Sequence, residues 1–79
     1  MDSKKWLVNY DHKDGRSGNI EVTTEITKSG AFSYGNGKAG RLTVGDYEQV
    51  YDLRYNSGDL HRSMLRDYFG KGLVKATEL

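Results

Sequence analysis

At 79 residues the chain holds one domain, residues 1–79, because two units of about 40 residues would each need disulfides, a metal or a partner in order to fold. Cysteine and proline are both absent, which excludes disulfides, thiolate metal sites and cysteine nucleophiles and leaves the turns to glycine, Asn and Asp. Twelve Lys+Arg against eleven Asp+Glu give a net charge of +1, too even for a domain that lives on phosphate backbones.

The first half reads as strands. From Lys4 to Tyr10, Trp6, Val8 and Tyr10 alternate with Lys5, Leu7 and Asn9, the period of a strand buried on one side. Asp11–Gly18 is wholly polar and carries two glycines, as a hairpin loop does. From Asn19 to Thr27, Ile20, Val22, Thr24 and Ile26 share one side, a β-branched row suited to a pleated surface. Ser29-Gly30 and Asn36-Gly37 are turn signals around a short third strand at Ala31–Tyr34. Arg41–Val44 is either a return strand or the approach to a helix.

The second half reads as helices. Thr43 and Asp46 have the spacing of a capping box. Val44, Tyr47, Tyr51 and Tyr55 then follow helical spacing, with Arg54 on their side and Asp46, Glu48, Gln49 and Asp52 opposite. Asn56-Ser57-Gly58 interrupts this pattern, and Asp59 or Asn56 caps a second helix over Leu60–Phe69 that ends at Gly70. Leu73–Thr77 is a final strand that pairs back onto the first hairpin. The expected fold class is therefore α+β: a small antiparallel sheet of three to five strands packed against two short helices, in the order β-β-(β-β)-α-α-β.

No catalytic cluster assembles along the chain. Gly35-Asn36-Gly37-Lys38-Ala39-Gly40 has the letters of a dinucleotide-binding loop but lacks the strand–loop–helix setting, so the glycines are read as a hairpin turn. The loop's backbone beside Lys38 and Arg41 could still hold a phosphate or a partner's carboxylate. His12 falls in the polar loop. His61 lies on the apolar side of the second helix, the place of a core histidine with hydrogen-bonded ring nitrogens. No metal or cofactor is expected, and the protein is read as a non-enzyme.

Surface chemistry is then the source of function. Arg62 and Arg66 are one helical turn apart, a pair suited to carboxylates and phosphates or to pairing with Asp59 or Asp67. Six tyrosines in so short a chain match the composition of protein-binding surfaces. The expected function is a protein-binding module that contacts its partner through Tyr34, Asn36, Lys38, Arg41, Arg62 and Arg66. The alternative is nucleic-acid binding through the first hairpin (Lys4, Lys5, Lys13, Arg16) or through the second helix. A spare aromatic side also suits a homodimer. No apolar run approaches the roughly 20 residues of a membrane span, and the first ten residues lack the apolar stretch of a secretory signal. A cytoplasmic protein with no membrane partner is expected.

Two resemblances bear on these readings. Trp6, Val8 and Tyr10, followed by Asp14-Gly15-Arg16, resemble the opening hairpin of the three-stranded arm-binding domain of tyrosine recombinases. That resemblance covers residues 6–16 and implies a sheet laid into the DNA major groove. It departs from that family beyond residue 16, where a glycine-rich insert and two helices replace a third strand and one terminal helix. In size and element order the chain is also similar to small phage-encoded inhibitors of bacterial defence, such as the anti-CRISPR proteins. This implies a phage or mobile-element inhibitor or adaptor of a host complex that acts by surface complementarity, with no motif residue carried over.

Overall fold

The computed structural model describes residues 2–11, 17–28 and 38–79. Five strands, β1 (Asp2–Asp11), β2 (Ser17–Lys28), β3 (Lys38–Val44), β4 (Tyr47–Asp52) and β5 (Leu73–Glu78), form one sheet in the order β4-β3-β2-β1-β5. Every neighbouring pair is antiparallel. One helix, α1 (Leu60–Phe69), continues into a single 3₁₀ turn at Gly70–Gly72. Helix α1 lies between β4 and β5 in sequence, so the chain crosses one face of the sheet to pass from one edge to the other.

The α+β class and the upper strand count are met, but the first of the two expected helices is a strand. The capping box expected at Thr43 and Asp46 is instead the end of β3 and a two-residue turn, Gly45-Asp46, on which Val44 and Tyr47 close as a pair. Gly45 takes φ 59°, a left-handed conformation that only glycine adopts without strain and that suits the twist of a tight hairpin. The tyrosine spacing misled because residues four apart share a side in both a helix and a strand. Tyr47 and Tyr51 are such a pair. The expected strand at Ala31–Tyr34 and the turn at Asn36-Gly37 lie outside the described residues.

The second expected helix forms over the range read from the sequence. Asp59 caps it from an extended backbone (ψ 99°), its carboxylate accepting from the Arg62 N–H at 3.2 Å. Gly70 ends it, its N–H donating to the Arg66 carbonyl. The core lies between α1 and the sheet, where Trp6, Val8, Val22, Leu42, Leu53, Met64 and Leu65 are buried, with Ile20 and Ile26 packed against them. The helix can approach β3 this closely because residue 40 has no side chain. A Cβ on Gly40 would stand 2.4 Å from Met64 Sδ and 2.7 Å from Leu53 Cδ1.

Alternation divides the other side chains. Lys5, Leu7, Glu21, Glu25, Arg41, Glu48 and Val50 fall on the second face of the sheet, opposite the row that carries Trp6, Val22 and Leu42. No described helix covers that face. Among the described residues no helix is long and apolar enough to cross a membrane.

Candidate protein-contact surface

Burial places the chain's polar chemistry in two settings. The first is a relay inside the core. The indole Nε1 of Trp6 donates to Thr24 Oγ1 at 2.8 Å, and Thr24 Oγ1 lies 2.7 Å from His61 Nδ1. A neutral ring accepts there from the Thr24 hydroxyl and keeps its proton on Nε2. Nε2 lies 3.0 Å from Asp2 Oδ2. It is the main influence holding the Asp2 carboxyl below its ordinary range, with partial desolvation opposing and Lys4 adding a smaller lowering. Thr24 is fully buried and His61 is 3% exposed. His61 is thus a core histidine, and its visible task is to fix α1 over β1 and β2 while satisfying polar groups that would be costly to bury unpaired.

The second setting is a row of aromatic rings across the end of the molecule where α1 finishes. Tyr10 stacks on Phe69 with ring centroids 6.1 Å apart. Phe69 meets Tyr68 edge to face at 4.9 Å, and Tyr68 lies 6.0 Å from Tyr47. Three elements supply these rings: β1, the last turn of α1, and the first residue of β4. The row is half-buried at Tyr10 and Phe69 and open at Tyr68 and Tyr47, which are 37% and 51% exposed. Beneath its open end sits Tyr51, whose hydroxyl is pushed up to about 12 by burial, with Asp67, Tyr68 and Tyr47 adding to the shift. Sequence reasoning gave the tyrosines weight as a group. It could not assemble this row, because Tyr47 was read onto a helix and its contact with Tyr68 depends on where α1 crosses the sheet.

The arginines expected to meet a partner are used differently from one another. Arg41 stands on the second face between Glu25 at 3.2 Å and Glu48 at 3.7 Å, so its charge is already answered within the sheet. Arg62 lies 3.5 Å from the Asp59 carboxylate and stacks over Trp6 with its guanidinium 5.1 Å from the ring centroid. Arg66 is exposed and has no ion-pair partner among the described residues. It lines an open groove of about 480 Å³ together with Tyr51, Asn56, Ser63 and Asp67. Arg54 grips Asp52 through two guanidinium nitrogens and stacks over Tyr55. That grip holds the Asp52 carboxyl below its ordinary range.

The remaining candidates do not assemble into one surface. Tyr34, Asn36, Lys13, Arg16 and His12 lie outside the described residues, and Lys38 is described only as the first residue of β3. Lys4 and Lys5 are adjacent in a strand and therefore fall on opposite faces. Lys4 sits over Trp6 and pairs with Glu78 at 3.5 Å. Lys5 lies on the second face, where Glu21 and Glu25 stand on the neighbouring strand. The acidic side expected at Asp46, Glu48, Gln49 and Asp52 is likewise divided: Asp46 is in the turn, Glu48 and Asp52 lie on the second face, and Gln49 lies on the other, where its amide oxygen accepts from the Tyr47 hydroxyl at 2.6 Å. The chain matches no protein-family model, no curated protein and no solved structure.

Proposed function

We propose that this chain is a non-catalytic module that acts in the cytoplasm by occupying a protein partner, as a phage or mobile-element inhibitor or adaptor of a host complex would. The observation that carries this reading is the aromatic row, open at Tyr47 and Tyr68 and close in sequence to the exposed Arg66. Tyrosine and arginine are the residue types that dominate binding energy at protein interfaces, since both bring large contact area with a polar handle. A non-catalytic role is supported by the enclosure of Thr24 and His61, which leaves that relay no face for a substrate. The division of Lys4 from Lys5 between opposite faces, with Lys4 paired to Glu78, weighs against the nucleic-acid alternative.

The test is affinity capture from host lysate with the tagged chain and with an Arg66→Glu, Tyr68→Ala double variant. The variant should lose at least about tenfold in partner recovery, the loss expected when interface anchors of about 2 kcal/mol are removed, with an unchanged circular dichroism spectrum. Equal recovery by both proteins would reject this surface. Binding of labelled duplex DNA that weakens steeply with salt would reject the protein-partner reading in favour of phosphate contacts.

A further inference from the structure

Strand β4 stands at the end of the sheet, so no described strand pairs with its outer side. The turn at Gly45-Asp46 fixes which backbone groups point that way. A two-residue hairpin loop closes on residues that exchange both backbone hydrogen bonds, here Val44 and Tyr47, and such pairs alternate with non-bonded ones. Tyr47, Gln49 and Tyr51 therefore direct their N–H and C=O groups to β3. Those of Glu48, Val50 and Asp52 point away from it. The same three residues place acid, valine and acid side by side on the face that no described helix covers, and Val50 is 62% exposed. The β3–β4 register is unbroken, and Tyr47–Asp52 contains no lysine or proline. Of the devices that blunt a sheet edge, the described strand carries only the charges of Glu48 and Asp52.

We propose that β4 is a docking edge that takes an extended segment of a partner protein as a sixth strand, with a basic residue beside Glu48 and a β-branched residue beside Val50. This deepens the protein-contact reading and rests on it. Charge selects the occupant. A second copy pairing antiparallel through β4 about Val50 would set Glu48 of each chain against Asp52 of the other, a carboxylate whose Arg54 partner is already engaged, so the pairing brings Glu48 no opposite charge. Glu48 is the carboxylate open to a new cation: its contact with Arg41 is 3.7 Å and its side chain is 56% exposed, whereas Asp52 is gripped by Arg54. Asp46 in the adjacent turn adds negative charge at the Glu48 end. Backbone hydrogen bonds to the edge supply affinity in this mode of recognition, and the alternating side chains supply specificity.

The test titrates the full chain into a fluorescent, capped ten-residue peptide that carries threonine on one side and lysine then valine on the other. A control peptide has glutamate in place of lysine. Saturable binding of the lysine peptide is expected, weakened at least about tenfold by Val50→Pro. That substitution removes an N–H that β3 does not use and is tolerated on an edge strand. Glu48→Lys should reverse the preference between the two peptides, and it carries the test if Val50→Pro fails to fold. No saturable binding, equal binding by wild type and Val50→Pro, or a dimer that Val50→Pro dissolves would each overturn the proposal. Failure of the peptide with capture still dependent on Arg66 and Tyr68 would remove the docking edge and leave the protein-contact reading standing.

Discussion

Strand β4 runs six residues beside β3 without a break in register, whereas β5, at the opposite edge, slips against β1 between Asn9 and Tyr10. The slip leaves Val74 as an extra residue between the pairs Tyr10–Leu73 and Asn9–Lys75, 67% exposed and unmatched across the ladder. A bulge of this kind twists an edge and interrupts its row of hydrogen-bonding groups. Lys75, beside the bulge, is a further deterrent to strand addition. Both edges therefore expose a valine, but only β4 offers a regular backbone next to it. The lesson is that exposure of an apolar side chain does not make a docking edge; the register of the strand beneath it does.

Three substitutions break the sheet at different distances from this contrast. Trp6→Ala should have the largest effect, because Trp6 is fully buried and its Nε1 supplies the Thr24 hydrogen bond. A loss of about 3–5 kcal/mol in urea unfolding is expected, with both edges lost together. Gly72→Ala acts at the β5 side alone. Its Cβ would stand 2.6 Å from the Asp11 carbonyl oxygen, a backbone neighbour that must shift, at a cost of about 1–3 kcal/mol. Gly45→Ala acts at the β4 side, where the left-handed turn would cost an alanine about 1–2 kcal/mol, and it should weaken binding of the lysine peptide as well as stability. Gly72→Ala should leave peptide binding per folded molecule unchanged.

The smallest effect is in alkaline solution and touches β4 only. Tyr51 holds its proton more tightly when folded, since burial pushes its hydroxyl up to about 12 from an ordinary value near 10. Its contribution is complete below about pH 10 and is lost as pH rises towards 12. Tyr51→Phe should therefore show a smaller fall in melting temperature between pH 9 and pH 11 than wild type, measured by circular dichroism.

Much of the fold was legible wherever one period was unambiguous. The alternation of Trp6 and Val8, the β-branched row from Ile20 to Ile26, and the apolar side of Leu60–Phe69 ending at Gly70 each admit one reading. The sequence leaves the cap open between Asn56 and Asp59, and the structure gives it to Asp59. Residues 44–55 admit two. Val44, Tyr47 and Tyr51 satisfy a helical stripe, but the paired Gly45-Asp46 turn and the run of tyrosine and valine favour strands, and tertiary pairing with β3 decides it. The proposed contact surface was not legible as a place. Tyrosine and arginine content gives only the expectation of protein contact, and the meeting of Tyr47 with Tyr68, and the outward direction of the Glu48 and Val50 backbone, arise from register and crossing geometry that no local pattern encodes.

The central claim is that β4 is an open, regular edge that accepts a strand. Amide hydrogen exchange followed by NMR, with and without the lysine peptide, tests it residue by residue. In the free protein the Glu48 and Val50 amides should exchange quickly while those of Gln49 and Tyr51 are protected, and saturating peptide should slow Glu48 and Val50 without changing Val74 or Lys75. Protection of Glu48 and Val50 in the free protein, or no change there when the peptide is bound, would contradict the account.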